Sequence, residues 1–300
     1  MLLQQLINGI TLGAVYALIA LGYTMVYGIL ELINFAHGEI YMLGAYIAII
    51  TLAFLTFTGL TETSILLSFI IVGIVTIIYC GAYGLTLEKV AYRPLRHAPR
   101  LAPLISAIGM SIFLQNYVML SQGSADKIFP HIFPAGSITI GNSTLTYLQC
   151  FIIISSVILM IALQAFIKKS RLGKAMRATA QDKKMAALLG IDIDTVIIVT
   201  FITGSVLAAS AGIMVAMYYG LINFYMGYVA GIKAFTAAVL GGIGNIQGAV
   251  LGGFLLGILE SLGAAYISSE YKDAFAFIVL ILILIFKPTG LLGERIPEKV

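Results

Sequence analysis

Residues 31–39 read Glu-Leu-Ile-Asn-Phe-Ala-His-Gly-Glu and set two carboxylates, a carboxamide and an imidazole between two long apolar runs. Asn34 and His37 can each donate and accept hydrogen bonds, while Glu31 and Glu39 can face an ammonium group or pair with a lysine. Ionisable groups near hydrocarbon are costly and usually functional where they occur. A solvated turn at a membrane surface would use the same residues, and the helix-breaking Gly38 fits both. A second interruption, Gly241-Gly242-Ile243-Gly244-Asn245, closes a shorter apolar segment at 230–246. Interrupted segments in both halves of a chain point to a transport site.

Other chemistry is missing. The one Gly-Lys pair, Gly173-Lys174, is followed by Ala175 and has Lys168 where a phosphate loop needs its first glycine. Gly242 and Gly244 begin a dinucleotide-like pattern, but Gln247 stands at the third glycine position and the surroundings are apolar. No His-Glu-x-x-His or Gly-x-Ser-x-Gly motif occurs. Cys80 and Cys150 lie in apolar stretches without a ligand partner at metal spacing, so they read as core or lipid-buried thiols. The chain is expected to be no enzyme, to bind no metal and to carry no cofactor of its own.

The elements that must position residues 31–39 are membrane helices. Of 300 residues, 60% are hydrophobic and 10% are charged, against about 25% charged in an ordinary soluble domain. Apolar runs extend over 6–30, 40–58, 65–87, 101–120, 145–167, 196–219, 249–267 and 274–286. All but the last, of 13 residues, approach or exceed the roughly 20 residues a spanning helix needs. All of the 17 basic residues except Lys127, Lys233 and Lys272 fall in three places, around 89–100, 168–184 and 287–299. Such clustering marks cytoplasmic loops, and it outweighs any nucleic-acid reading of the net charge of +4. Residues 121–144, with Pro130, Pro134, Gly136, Gly141 and Asn142, then form an outside loop suited to a hairpin or short helix. The N-terminus is expected outside, retained without signal cleavage, and the C-terminus inside. This parity requires the segment at 230–246 to cross. A short, glycine-interrupted span survives only where protein or a polar cavity satisfies its backbone. The expected fold is an all-α polytopic membrane protein, one domain over 1–300, with eight or nine transmembrane helices and irregular segments near 31–39 and 230–246.

Within the loop at 168–192, a helix is expected from Lys174 to Leu189 with Gly190 as its stop. Leu172, Met176, Met185, Leu188 and Leu189 share helical spacing beside Lys174, Arg177 and Lys184. Such a helix can fill a partner's groove, lie on anionic lipid, or merely connect spans. Gly248 with Gly252, and Gly253 with Gly257, form two small-xxx-small pairs that allow close helix approach, within the chain or between chains.

Three stretches carry a resemblance. GITLGAVYALIALGYTMVYG (9–28) running into INFAHGE (33–39) resembles the opening of the LivH-type permeases of bacterial ABC importers for branched-chain amino acids. Residues 173–192 look like that family's cytoplasmic coupling loop, and AVLGGIGNIQGAVLGG (238–253) resembles its glycine-rich signature. The resemblance implies a bacterial inner-membrane protein with a LivM-like second permease and LivG-like and LivF-like subunits that hold ATP and Mg. A periplasmic or lipid-anchored LivK-like binding protein completes the set. It places Asn34, Phe35, His37, Glu39, Gly242, Gly244 and Asn245 beside the translocation path. It gives Lys174, Met176, Arg177, Asp182, Leu188, Leu189 and Gly190 to ATPase-subunit contact. It also implies a path for apolar side chains, with Glu31 or Glu39 as structural partners of Lys233 or of the second permease. Relatives of such permeases import urea and short amides. An ion-coupled secondary transporter would use broken helices and buried carboxylates in the same way, and a scaffolding subunit would tolerate alanine across 31–39.

Overall fold

Why the chain forms long uninterrupted helices follows from its composition, because apolar residues in hydrocarbon can satisfy backbone groups only within a helix or a closed barrel. The computed structural model describes residues 1–96, 98–99, 101–130, 133 and 136–293. Pro134, named above, and Arg100, Arg295 and Lys299 of the basic clusters lie outside the described residues. The helices are α1 (Leu2–Leu30), α2 (His37–Phe57), the short α3 (Leu60–Thr63), α4 (Ile65–Leu87), α5 (Leu101–Gln122) and α6 (Tyr147–Lys169). They continue as α7 (Arg171–Gln181), α8 (Lys183–Leu188), α9 (Ile193–Tyr219), α10 (Met226–Gly241), α11 (Ile246–Tyr266) and α12 (Lys272–Phe286). α4 runs on through a π turn at Glu88–Tyr92 and a 3-10 turn at Arg93–Leu95.

Among the described residues, seven helices (α1, α2, α4, α5, α6, α9 and α11) are long and apolar enough to cross a membrane. α10 has 16 residues and α12 has 15. At about 1.5 Å per residue they reach only about 24 and 22 Å, short of the roughly 30 Å hydrocarbon core. Seven full spans and two short apolar helices agree with the expected eight or nine.

Polar side chains cut the helices where the sequence changes character. Ser64 caps α4, Thr146 and Gln149 form a reciprocal capping box on α6, and Asn245 caps α11. α1 ends at Glu31 with φ 59°, the one non-glycine residue with positive φ among the described residues. The helix expected over 174–189 is instead two. Asp182 leaves helical geometry, and its carboxylate accepts from the Lys184 and Met185 backbone N–H groups, ending α7 and starting α8. A short acidic side chain competes for backbone donors in this way, which disfavours it inside a helix. Gly190 (φ 81°) stops α8 as expected.

The loop ends sort onto two faces. On the hairpin face, β2 (Ser137–Ile140) pairs antiparallel with β3 (Ser143–Thr146), and β1 (Lys127–Ile128) with β4 (Leu221–Ile222). The Gln4 carboxamide joins them, donating to the Thr144 carbonyl at 3.0 Å and accepting from its N–H at 2.8 Å. The opposite, basic face gathers 31–36, 88–96, 169–192, 242–245 and 287–293. There Arg93 binds Asp194 at 2.7 Å, Arg96 pairs with both Asp194 and the buried Glu88, and the Leu291 and Leu292 N–H groups donate to the Leu240 and Gly241 carbonyls. The segment containing α10 runs from the hairpin face at 220 to the basic face at 242.

α1 is the axis of the bundle, buried over most of its length between α11 and α9. Both small-residue pairs of α11 are spent inside the chain. A methyl group at Gly253 would stand 2.5 Å from the Ala17 Cα, and one at Gly257 2.5 Å from the Gly13 Cα, while Gly248 and Gly252 face α10 at Gly241 and Ala237. Side chains at Gly253 or Gly257 would force α1 and α11 apart. Gly253→Val and Gly257→Val are each expected to destabilise by about 1–3 kcal/mol or more. The readout is a lower unfolding temperature and a broadened gel-filtration peak in detergent. Gly73→Ala on α4, where the added methyl meets open space, should leave both unchanged.

Candidate functional site

The polar stretch at 31–39 divides at Ala36. Residues 31–36 form the interruption, and His37, Gly38 and Glu39 are the first turn of α2 and fully buried. They were expected in the break. The helix starts earlier because Gly38 lets α10 approach at Gly231, leaving 2.8 Å between that backbone and any added methyl. An acidic residue is also favoured in a first turn by the helix dipole. Asn34 is buried, and its Oδ1 accepts from the Tyr92 hydroxyl at 3.0 Å. Phe35 meets Phe235 at a ring distance of 6.0 Å. The His37 imidazole lies edge-on to Tyr23 at 4.9 Å, in the space left by Gly22 and Gly204. Gly204 belongs to the middle third of α9, so α2 begins deep inside the bundle. Glu39 Oε1 accepts from Ser111 at 3.0 Å, and Oε2 has no hydrogen-bond donor and faces Gly227 in the first turn of α10.

Gly242, Gly244 and Asn245 occupy the turn between α10 and α11 on the basic face. Gly242 (φ 106°) and Gly244 (φ 93°) take backbone geometry that L side chains rarely adopt. Asn245 caps α11 with its oxygen and donates from Nδ2 to the Leu292 carbonyl at 2.9 Å. A groove of about 100 Å³ connects this turn to α7, lined by Gly28, Ile29, Met176, Arg177 and Gly244. α7 buries Gly173, Met176 and Thr179 and exposes Lys174 and Arg177. On α8, Met185 and Leu188 project outward, and Leu189 follows at its end, with Leu188 81% exposed. Partial burial lowers the Lys183 ammonium from its ordinary range and the Glu31 carboxylate opposes that shift, so α8 adjoins the first interruption.

The site that residue spacing did not assemble lies on the hairpin side of the bundle interior. Lys233 of α10 places Nζ 2.6 Å from Glu260 Oε1 on α11 and 2.6 Å from Asp273 Oδ1 on α12, rather than beside Glu31 or Glu39. Tyr16 of α1 donates to Glu260 Oε2 at 2.8 Å and accepts from Lys233 at 3.4 Å. The Lys233 and Glu260 side chains are 7% and 3% exposed, and that of Asp273 is 46% exposed. Tyr16, Lys233 and Asp273 of this cluster line a cavity of about 480 Å³ whose walls come from α1, α2, α9, α10, α12, β4 and the segment after it. Tyr41, Tyr219 and Tyr225 line it, with Val215 and Val229 as its aliphatic side. The signal was present in the sequence: Lys233 and Glu260 are single charges inside apolar segments, a costly placement that usually marks function. Only the fold brings Asp273, forty positions along, to the same point.

Residues 5–284 match the family described as branched-chain amino acid transport system / permease component. The chain belongs to that family. It is 52% identical, over 99% of its length and 97% of theirs, to the high-affinity branched-chain amino acid transport system permease proteins LivH of Escherichia coli strain K12 and of Salmonella typhimurium. It is 53% identical, over 99% of its length and 98% of the relative's, to the corresponding protein BraD of Pseudomonas aeruginosa. No solved structure matches it. The chain is thus a multi-pass membrane permease component of a transport system, and its relatives are transport proteins rather than enzymes.

In this permease the buried cluster also holds four helices together, so its integrity is measurable. Removing one member of a buried ion pair leaves an uncompensated charge and costs about 3–5 kcal/mol. Lys233→Met is expected to lower the unfolding temperature sharply in detergent. Lys233→Met combined with Glu260→Gln should recover part of that loss, because the buried carboxylate beside Tyr16 is then gone and the one left unpaired, Asp273, is half exposed to solvent.

Proposed function

We propose that this chain is the membrane-spanning permease subunit of an ABC importer that moves leucine, isoleucine and valine across the bacterial inner membrane. One observation carries the proposal: identity of 52–53% along essentially the whole chain to permeases named for high-affinity branched-chain amino acid transport. A second, LivM-like permease completes the path. LivG-like and LivF-like subunits bind ATP and Mg, and a periplasmic or lipid-anchored LivK-like protein delivers substrate. That division of labour accounts for a chain with no phosphate loop of its own.

The basic face is cytoplasmic under the positive-inside rule, which puts the N-terminus outside and the C-terminus inside. α7 and α8 then meet the ATP-binding subunits. Support comes from the outward-facing Met185, Leu188 and Leu189, an apolar patch beside Lys174 and Arg177 that a partner groove would cover. Asp182 and Gly190 shape that element by starting and stopping α8. The groove from Met176 and Arg177 to Gly28 and Gly244 offers a short mechanical route from this element to α1 and the turn at 242–245. Asn34, Phe35, His37 and Glu39, with Gly242, Gly244 and Asn245, border the moving part of the path.

Gentle purification from the native membrane, followed by ATPase assay with binding protein and leucine, tests the assembly. Two ATPases and a second permease are expected to co-purify, with leucine-stimulated turnover. A lone chain that accumulates leucine in liposomes under an ion gradient would replace the ABC reading with a secondary carrier. Leu188→Glu with Leu189→Glu, and Arg177→Glu separately, are expected to reduce transport at least about tenfold, equivalent to about 1.4 kcal/mol of coupling. The isolated chain should keep its unfolding temperature. Full transport in both variants would remove α7 and α8 from the ATPase contact.

A further inference from the structure

Three features of the 480 Å³ cavity bear on what it holds. Its volume lies within the roughly 300–1,000 Å³ of small-molecule sites, and charged groups from the bundle interior are part of its lining. Three charged side chains line it, Lys233, Lys272 and Asp273, and Glu260 reaches Lys233 from behind the wall. Those charges are also unequally committed. Lys233 and Glu260 neutralise one another, whereas Asp273 engages Lys233 through Oδ1 and its side chain is 46% exposed. Lys272 has no carboxylate within ion-pair distance among the described residues, and its ammonium stands 5.9 Å over the Tyr219 ring.

A lone anion in this cavity would meet Asp273, and a lone cation would meet Lys272. A zwitterion with its charges one carbon apart satisfies both. Beside the charged groups, Leu12, Val215, Val229 and Ala230 give the cavity an aliphatic lining. We propose that this cavity is a binding site for an α-amino acid zwitterion within the single permease chain. Lys272 receives its carboxylate, the exposed part of Asp273 its ammonium, and the Val215–Val229 side its aliphatic side chain. The N-terminus of α12 adds its partial positive charge toward the carboxylate. Uncharged urea or amides would gain nothing from this arrangement. The inference rests on the importer reading above and adds a location and a recognition chemistry to it.

Thiol protection in the assembled transporter tests it, using Val229→Cys in a background where the half-buried Cys150 is serine. Leucine is the probe. At about ten times its Kd, leucine should slow modification by a water-soluble thiol reagent about tenfold, as site occupancy requires. 4-Methylpentanoate, which lacks the ammonium, and 3-methylbutylamine, which lacks the carboxylate, should not protect. Lys272→Gln should abolish protection by leucine, and Lys272→Arg should retain it, which separates lost recognition from misfolding. Absence of protection in a complex that imports leucine would overturn this site and leave the importer reading standing. Equal protection by all three compounds, or protection unchanged in Lys272→Gln, would overturn the zwitterion assignment. A complex that imports no leucine at all would remove both.

Discussion

An ammonium group inside an apolar layer must be neutralised where it stands, since withdrawing a charge from water costs several kcal/mol even after relaxation. Lys233 therefore dictates more of this structure than any other side chain. Its position on α10 requires Glu260 of α11 and Asp273 of α12 to converge on one point, and Tyr16 of α1 to spend its hydroxyl there. Four helices are fixed in rotation by one cluster. The close approach of α11 to α1 through Gly253 and Gly257 then follows as the packing that lets Glu260 and Tyr16 meet.

A second constraint comes from the backbone. Each interruption exposes amide and carbonyl groups that lipid cannot satisfy, and each is met by protein. Tyr92 bonds to the Ile33 carbonyl and to Asn34, the Leu291 and Leu292 N–H groups close the end of α10, and β1 pairs with the strand after α9. These repairs allow α2 and α10 to begin in the interior of the bundle. An interior start for those helices leaves space above them, and the cavity occupies that space.

Much of this was legible in the sequence, and the failures have physical causes. Apolar runs located the membrane helices because hydrocarbon thickness sets their length, and the glycines at 241–244 marked where the shorter α10 ends. The hairpin at 137–146 was foreshadowed by its turn residues. Local polarity misled at His37 and Glu39, where burial against α10 and Ser111 makes polar residues part of a helix. It also hid the division of α7 from α8, since Asp182 reads equally as a solvated helix residue or as a cap. The partner of Lys233 could not be read from spacing at all. The expected carboxylates were Glu31 and Glu39, and only the packing of α10, α11 and α12 brings Glu260 and Asp273 within reach instead.

The half-depth of the cavity carries an electrical consequence. Were water to fill this space, much of a transmembrane voltage would fall across the remaining thickness between the Lys233 cluster and the basic face. A full elementary charge crossing that interval would exchange about 2.3 kcal/mol with each 100 mV. A zwitterion has no net charge and does no such work, while the paired Lys233 and Glu260 present the field with a dipole instead of a monopole. Import of a neutral amino acid through this chain would then proceed at the same energetic cost in a polarised and a depolarised cell.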